Sequence, residues 1–224
     1  MIVDILFTDT DKLSIRAIEK EVAIKTAVKK HYLHKKPHTP LFTFGLYYNK
    51  KYIGCCIYSV PVGSKVTQSI SRLLNNGEVI ELSRLYIDDG YGQNIESWFI
   101  GQSFKILRGI KNIKCVVSYA DTNVGHIGII YQATNFLYNP TGRKAGVVKL
   151  QIGNEVWHNL RCKRKFGTIA VGKLEKITGK KVKRINQKKK HRYLYFVCNR
   201  KEKRNYLKEL KHPILSYPKK EEIK

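Results

Sequence analysis

Residues 115–136 decide the fold of this chain, with the sequence Cys-Val-Val-Ser-Tyr-Ala-Asp-Thr-Asn-Val-Gly-His-Ile-Gly-Ile-Ile-Tyr-Gln-Ala-Thr-Asn-Phe. The stretch begins with an apolar, partly β-branched run that predicts a buried strand. It then breaks at residues 121–123, which offer caps for a helix that the following apolar residues predict. Open α/β sheets bind ligands at the carboxyl ends of their strands. The candidate site residues of this stretch are therefore Ser118, Asp121 and His126.

Strands and helices alternate only in the second half of the chain, so we predict an α/β fold with a mixed sheet (α+β). The predicted strands cover residues 2–7, 42–48, 52–60, 78–87, 115–120, 146–152 and 193–198. The predicted helices cover residues 14–29, 95–107 and the segment that follows residue 121. Short helical or irregular basic pieces are expected at 154–165 and 167–179, and we expect residues 213–224 to be loosely held.

The composition is that of an ordinary folded protein. The 224 residues are 42% hydrophobic, which suits one domain with an elaborated end. No apolar stretch is long enough to span a membrane, and the first residues, which include Asp4, lack the basic region of a signal peptide. The five cysteines form no Cys-x-x-Cys pair. An odd count without that spacing indicates reduced cysteines in a cytosolic core rather than disulfides or a zinc site.

Charge is the strongest global feature. The chain has 43 Lys and Arg against 17 Asp and Glu, a net charge of +26. Residues 161–192 contain 14 Lys and Arg and one acid, Glu175, and so hold half of the net charge. Clustering of this kind favours a polyanionic partner, with nucleic acid as the first candidate. The alternative is a lysine-rich surface that only faces solvent.

A second polar cluster lies on the predicted strand 78–87. Strand alternation predicts Glu81 and Ser83 on one face and Arg84 on the other. A charged side chain between apolar neighbours needs a partner or a ligand. We therefore predict that Arg84 pairs with Asp121 or binds a phosphate or carboxylate. The alternative is the solvent face of an edge strand.

Two loops also carry candidate site residues. His31, Tyr32 and His34 precede the predicted hairpin, and a His-x-x-His spacing offers two imidazoles that, with a carboxylate, can hold a metal. They are equally compatible with ordinary loop residues. Gly90 and Gly92 precede the helix predicted from residue 95, where glycines let backbone N–H groups approach a phosphate.

The order of elements resembles the Gcn5-related N-acetyltransferase (GNAT) fold. In that fold the fourth and fifth strands splay apart and hold an acyl-CoA between them. Residues 81–87 and 115–120 match those strands, and Gly90-Tyr-Gly92-Gln-Asn94 partly matches the pyrophosphate loop. The resemblance implies an acyl-CoA-type donor bound by Ser83, Arg84, Leu85, Gly90, Gly92 and Asn94.

A more specific similarity covers residues 25–198. The chain resembles the phage Mom family of DNA-adenine modification proteins. The motifs that carry the resemblance are His31-Tyr32, Glu81-Leu-Ser83-Arg84-Leu, Ser118-x-Ala120-Asp121-x-x-x-Gly125-His126-x-Gly128-x-x-Tyr131-Gln132-Ala133-x-Asn135-Phe136 and Lys190-His-Arg192-Tyr193. The resemblance implies an enzyme that converts adenine N6 in DNA to a carbamoylmethyl (methylcarbamoyl) derivative. It would protect a phage genome from restriction in the cytoplasm of the infected bacterial host.

The resemblance also implies roles for individual residues. The implied catalytic residues are Asp121, Ser118, Arg84, Tyr32 and His31. Asp121 would act as a general base on the exocyclic amine or orient the donor. Iron is the candidate metal, with His31 and His34 as its ligands.

The basic segment supplies what a DNA enzyme needs, because phosphate contacts dominate affinity for duplex DNA. We expect a catalytic domain at 1–142 plus 186–200, a DNA-contacting insertion at 143–185 and a charged tail at 201–224. The predicted DNA contacts are Arg161, Lys163, Arg164, Lys165, Lys180, Lys181, Lys183, Arg184, Lys190 and Arg192. Two alternatives remain open: a GNAT N-acetyltransferase acting on a protein or tRNA amine, and a non-catalytic DNA-binding protein.

Overall fold

The computed structural model describes residues 12–63, 65–142 and 146–219, so the strand predicted at residues 2–7 lies outside the described residues. The strands are β1 (Leu13–Ala17), β2 (Pro40–Tyr48), β3 (Lys51–Ser59), β4 (Val79–Ile87), β5 (Cys115–Ala120), β6 (Leu137–Tyr138), β7 (Lys149–Ile152), β8 (Glu155–His158), β9 (Val182–Ile185) and β10 (His191–Phe196). The helices are α1 (Lys20–Lys30), α2 (Val66–Ile70), α3 (Ile95–Arg108), α4 (Ile129–Ala133), α5 (Asn159–Phe166), α6 (Val171–Thr178) and α7 (Arg200–Lys208). No helix in these described ranges is long and apolar enough to cross a membrane.

The described residues form two compact units. Unit 1 contains the chain up to Tyr119, together with Gly128–Pro140 and Arg192–Tyr217. Unit 2 contains Ala120–Ile127 and the described part of Thr141–His191, with the last described residues of the chain.

Unit 1 is built on a seven-stranded sheet in the order β1-β2-β3-β4-β5-β10-β6. The strands β1 to β4 pair antiparallel, whereas β4 and β5 pair parallel. The predicted α/β fold with a mixed sheet of the GNAT type is therefore confirmed. The β2–β3 turn is confirmed too: Asn49 and Lys50 have φ values of 47° and 66°, as two-residue hairpin turns require.

Two clusters of buried apolar residues pack against the unit 1 sheet. On α1, the small buried residues Ala23 and Ala27 let the helix approach Cys55 and Ile57 of β3 closely. A separate cluster of buried residues comprises Ile70, Leu74, Val79, Cys115, Val117, Leu194 and Phe196. The two clusters fix the central strands, and with them the polar side chains that those strands carry.

The helix predicted from residue 14 starts only at Lys20. Residues Leu13–Ala17 form β1 instead, with Ala17 opposite Phe44 and Leu13 opposite Tyr48. The local apolar spacing suits a helix, but pairing with the edge of the β2–β3 hairpin satisfies the backbone groups of this segment. The predicted start of the helix was wrong for this reason.

The stretch 115–136 is a strand followed by an interrupted helical region, not by one continuous helix. A 3-10 turn at Thr122–Val124 precedes the five-residue helix α4. Between them Gly125 and Gly128 have φ values of 75° and 81°, which favour glycine. A Cβ on Gly128 would lie 2.5 Å from the Tyr193 ring, so close packing also requires glycine here. The prediction of a single helix was therefore wrong.

Unit 2 is a small domain with a core of its own. Its sheet has the order β8-β7-β9 and is antiparallel throughout. The helices α5 and α6 pack against one face of this sheet. The buried residues of this core are Leu150, Ile152, Trp157, Cys162, Leu174 and Val182. The short strands β8 and β9 were not predicted, because charged residues interrupt their apolar pattern.

The segment predicted as a charged tail contains the helix α7. Asn199 and Glu202 form a capping box at its start, and Tyr206 and Leu207 pack against the core of unit 1. Further on, Tyr217 Oη donates to the Phe136 carbonyl at 2.8 Å. The expectation that the chain is loosely held from residue 213 was thus wrong up to residue 217.

Candidate active site

The unit 1 sheet opens between β4 and β5. These strands pair only from Val79 to Glu81, opposite Cys115 to Val117. Beyond this register β4 continues to Ile87, and the described residues show no further pairing with β5. The two strands therefore diverge, and we call this opening the fork.

Ser118 lies at the point where the fork begins. It is 1% exposed, and its hydroxyl donates to the Leu82 carbonyl at 2.9 Å. Leu82 is the first β4 residue beyond the register shared with β5. The serine hydroxyl thus takes the place of a backbone donor, which ties the two strands together where they separate.

Tyr131 of α4 contributes its phenol to the same place. Burial raises the pKa of Tyr131 to about 12, although a side-chain hydrogen bond with Ser118 opposes that shift. The negative charges of ionised Tyr32 and Glu81 would raise this pKa further. Tyr131 is consequently a neutral hydrogen-bond donor at physiological pH. It is missing from the predicted site residues because an aromatic residue near Gly128 suits core packing equally well.

Arg84 connects β4 to the loop that follows α1. Its guanidinium donates to the Ser83 carbonyl at 2.6 Å and to the carbonyls of Lys35 and Lys36 at 3.1 and 3.4 Å. Burial lowers the pKa of Arg84, and the nearby Glu81 opposes that shift. Its Nε is buried and has no hydrogen-bond partner among the described residues. One N–H of this guanidinium is therefore buried without a partner among the described residues.

The loop held by Arg84 carries His31 and Tyr32. Their rings lie 4.4 Å apart with an angle of 31° between their planes. His31 is 8% exposed, and its Nδ1 accepts a hydrogen bond from the Leu33 amide at 3.2 Å. Because Nδ1 accepts this hydrogen bond, the neutral ring of His31 carries its proton on Nε2. Tyr32 is 45% exposed and presents an aromatic ring to solvent.

Ser83 forms a β-bulge and interrupts the predicted alternation of β4. Between Leu82 and Arg84 this strand has one residue more than β3. The Ser83 hydroxyl contacts Ser59 Oγ at 2.7 Å and donates to the Ile57 carbonyl at 3.1 Å. The prediction of strict alternation was wrong here, and the Ser83 side chain is engaged by β3.

The predicted donor-binding loop lies directly before α3. Gly90 and Gly92 have φ values of 88° and 109°, and Asn94, the N-cap, has a φ of 61° and makes no side-chain cap. A Cβ on Gly90 would meet no atom within 4 Å. This open approach to uncapped N–H groups fits the phosphates of a donor. Leu85, which is also predicted to bind the donor, lies in β4 opposite Cys56.

The predicted metal ligands do not fit an iron site. His31 Nδ1 accepts from a backbone amide, which leaves the proton of the neutral ring on Nε2, so this ring offers no free nitrogen lone pair to a metal. No three His, Cys, Asp or Glu residues within the described ranges are grouped so that they can hold a metal ion.

Asp121 belongs to unit 2. Its Oδ1 accepts from the Asn123 amide at 3.0 Å, and its Oδ2 lies 3.1 Å from Lys190 Nζ. Burial raises the pKa of Asp121, but Asn123 and Lys190 outweigh it, and the pKa lies below its ordinary value. Asp121 is thus a stable carboxylate. His126 is exposed, and its amide donates to the Asp121 carbonyl.

Nine of the ten predicted DNA contacts are exposed on unit 2: Arg161, Lys163, Arg164, Lys165, Lys180, Lys181, Lys183, Arg184 and Lys190. Arg192 is the exception and lies in unit 1. It is 1% exposed, and its guanidinium donates to Asn139 and to Ser69 Oγ. The prediction that Arg192 contacts DNA was wrong, because charge along a sequence does not reveal burial.

Two sequence comparisons relate this chain to the same protein family. Residues 12–219 match the model of the family described as the Mom protein family. A curated relative, the Methylcarbamoylase mom of Escherichia phage Mu, is 24% identical over 126 residues. That match covers 56% of this chain and 52% of the relative, so it spans about half the length of the phage Mu protein.

Comparison with solved structures finds acetyltransferases at low similarity. A GNAT-family acetyltransferase from Streptococcus pneumoniae is 10% identical, with a TM-score of 0.44, and covers 82% of this chain and 98% of its own. The spermidine N-acetyltransferase from Vibrio cholerae, solved with CoA and spermine, is 9% identical, with a TM-score of 0.44. It covers 83% of this chain and 96% of its own.

Proposed function

Because the chain belongs to the Mom protein family, we propose that it is a transferase that modifies adenine N6 in DNA to a carbamoylmethyl derivative. The observation that carries this proposal is the Ser118–Tyr131 pair at the fork of β4 and β5. Because the Ser118 proton is donated to Leu82, the neutral phenol of Tyr131 donates its own proton to Ser118, and its oxygen can still accept a hydrogen bond from a reacting amine. The activity of the phage Mu relative agrees with the proposed product.

Adenine N6 is a poor nucleophile, since its lone pair is delocalised into the ring. Catalysis must therefore come largely from positioning the amine against the donor carbon. In this proposal N6 attacks the methylene carbon of an activated carbamoylmethyl group. The new C–N bond forms as the bond from that carbon to the leaving group of the donor breaks, and N6 gives its proton to the departing leaving group. The Tyr131 oxygen accepts a hydrogen bond from the N6 amine and so positions it, and Ser118 orients Tyr131 for that contact.

Tyr32 and Arg84 complete the proposed site in unit 1. An enzyme that acts on a base in duplex DNA must extrude that base from the stack. The half-exposed ring of Tyr32, which is backed by His31, offers a stacking surface for adenine. The buried Nε of Arg84 offers a hydrogen bond to the donor.

An acyl-CoA-type donor is part of the proposal. Transfer of its acyl carbon would give an amide on N6, so the carbamoylmethyl product requires that a methylene carbon of the donor, and not its acyl carbon, forms the bond to N6. The residues that would hold its phosphates are the glycines of the loop before α3 and the uncapped N–H groups of that helix. Asp88 in the same loop is paired with Lys30, which reduces its repulsion of an anionic ligand. The roles predicted for Asp121, as general base or as a residue that orients the donor, remain proposals. The lowered pKa of Asp121 makes it a weak base.

Unit 2 supplies the proposed grip on double-stranded DNA. Its exposed Lys and Arg side chains can neutralise phosphates, as binding to the DNA backbone requires. The substrate in this proposal is a phage genome inside the infected bacterium. Modified adenines there would block cleavage by host restriction enzymes.

Mass spectrometry of nucleosides tests this function. DNA from bacteria that express the chain is digested to nucleosides, and we expect deoxyadenosine that carries one carbamoylmethyl group. The matched control is DNA from cells that express Tyr131→Phe. Unmodified deoxyadenosine in cells with soluble wild-type protein would contradict the proposal. Acetylated tRNA or protein in the same cells would favour a GNAT N-acetyltransferase instead.

A further inference from the structure

The helix α7 of unit 1 presents a row of cations to solvent. Arg200, Lys201, Arg204 and Lys208 are all exposed. With 3.6 residues per turn, these four side chains fall within an arc of about 100° around the helix. Tyr206 and Leu207 of α7 pack into the apolar core of unit 1. By the same count Tyr206 lies on the opposite side of the helix, and Leu207 lies beside Arg200. We call the four cations the α7 ridge.

The acidic residues near the ridge are turned away from it. Glu202 pairs with Lys114 at 2.6 Å, and Glu209, at the end of the helix, pairs with Arg72 at 2.6 Å. Both acids thus neutralise cations on other elements of unit 1. The ridge carries no acid from its own helix, which the structure describes in full.

This arrangement weakens the helix that carries it. Arg200, Arg204 and Lys208 follow one another at i, i+4 spacing, and like charges at that spacing cost a few tenths of a kcal/mol per pair. Arg200 and Lys201 also stand in the first turn, where the helix dipole disfavours cations. The Asn199–Glu202 capping box and the position of Lys208 in the last turn offset part of these terms. Sequence choices that oppose local stability are expected at functional surfaces.

Solubility does not explain the ridge. A net charge of magnitude about 2–8 keeps a small domain soluble, and this chain carries +26. Further cations on one face of one helix therefore add repulsion with no benefit to solubility. A polyanion removes that repulsion, because its phosphates neutralise several cations at once.

We propose that the α7 ridge binds the phosphate backbone of duplex DNA, as a contact surface on unit 1 in addition to unit 2. Side chains at i, i+4 on a helix are about 5–6 Å apart at Cβ, so neighbouring cations can reach successive phosphates of one strand. The inference rests on the proposed DNA substrate. It adds that the unit with the fork holds DNA directly, through contacts that carry no base sequence information.

The test compares two triple variants with equal loss of charge. The first is Arg200→Gln with Arg204→Gln and Lys208→Gln. The control replaces three exposed lysines of α1, another unit 1 helix: Lys20→Gln, Lys25→Gln and Lys29→Gln. Binding to a fluorescent duplex DNA is measured by anisotropy between low and moderate salt, and thermal unfolding is measured in parallel.

The ridge variant should bind DNA at least about tenfold more weakly at low salt, with the slope of log K against log salt reduced by about 2.7, as three lost phosphate contacts require. Its thermal stability should stay equal or rise, because repulsion within α7 is removed. The α1 control should change the affinity and the salt slope by much less than the ridge variant does.

Each other outcome overturns the inference. Equal effects of the two variants would show that only net charge matters. Preferred binding of a single-stranded RNA of the same length, lost in the ridge variant, would assign the ridge to another partner. If the ridge variant binds like wild type while adenine modification persists in cells, the ridge inference fails and the proposed function stands. If wild type does not bind duplex DNA, both fail.

Discussion

Polar side chains at the fork of unit 1 are held by hydrogen bonds within the protein, whereas the basic side chains of unit 2 are exposed to solvent. At the fork, Tyr131 is hydrogen-bonded to Ser118, and the Ser118 hydroxyl donates a hydrogen bond to the Leu82 carbonyl. On unit 2, cations such as Lys163 and Lys181 are exposed. The first arrangement fixes atoms in place, whereas the second provides charge density with freedom of movement.

This difference indicates which task each region suits. Chemistry on a poor nucleophile needs groups that are positioned before the substrate arrives. Binding to the uniform backbone of DNA needs mainly positive charge. Substitutions in the fork should therefore affect the reaction with little effect on DNA affinity, and substitutions on unit 2 should do the reverse.

The largest effect is expected for Tyr131→Phe, which removes the phenol hydroxyl and keeps the ring. Loss of the hydrogen bond that positions the N6 amine should lower the modification rate by about 100-fold or more. DNA affinity should stay unchanged. Nucleoside analysis and anisotropy measure the two quantities on the same preparation.

The control for this variant is Tyr195→Phe. That hydroxyl accepts from Arg108 at 2.7 Å, away from the fork, so the variant should retain activity. A Tyr131→Phe variant with full activity would remove Tyr131 from the proposed chemistry.

The next effect concerns unit 2. The variant combines Lys163→Gln, Arg164→Gln, Lys181→Gln and Lys183→Gln, all at exposed positions. The salt slope should fall by up to about 3.6, and affinity at low salt should fall at least about tenfold. The modification rate at saturating DNA should stay near wild type. A reduced rate at saturation would mean that these cations act in the reaction itself.

Ser118→Ala should have a moderate effect on both stability and activity. Because the Leu82 carbonyl loses its donor, the free energy of unfolding should fall by about 1–2 kcal/mol. The modification rate should fall about tenfold, as the orientation of Tyr131 is lost. Chemical denaturation and nucleoside analysis measure the two effects.

Ser103→Ala is the matched control for this serine. Ser103 is also buried and donates to a backbone carbonyl, that of Ile100, at 2.7 Å. It should lose comparable stability and keep its activity. If both serine variants lose activity equally, Ser118 has only a structural role.

The smallest effect is expected on the dependence of stability on low pH. The pKa of Asp121 is lowered in the folded chain, so its carboxylate adds stability above the ordinary value of 3.8. That stability is lost as the pH falls through the lowered pKa, when Lys190 loses its partner. Asp121→Asn should therefore flatten the dependence of unfolding on pH below about 4. Unchanged pH dependence in this variant would show that the ion pair with Lys190 adds no stability.

The sheet could be predicted because its pattern is local. The apolar, β-branched run Cys115–Ala120 indicates a buried strand, and residues 42–60 indicate a hairpin. The interruption before α4 could not be predicted, because it depends on contact between Gly128 and Tyr193, which are far apart in the sequence.

Ser118 and Arg84 lie at or beside the fork, but their hydrogen-bond partners were not foreseen. Tyr131 stands in the motif that carries the family resemblance, but core packing was the favoured role for its ring, because the sequence does not show whether an aromatic ring faces a core or an opening. Arg192 was misassigned because it belongs to a basic run in the sequence but is buried in the fold. Charge and spacing thus located the regions, whereas long-range packing determined the role of each side chain.

The most direct test of the separate roles of the fork and unit 2 measures the amount of modified deoxyadenosine per bound DNA. Two variants are compared at saturating DNA. The variants are Tyr131→Phe in the fork and the fourfold Lys and Arg variant of unit 2. We expect almost no product from DNA-bound Tyr131→Phe and near wild-type product from the unit 2 variant. Normal product from Tyr131→Phe, or loss of product from the unit 2 variant while it is bound to DNA, would contradict this expectation.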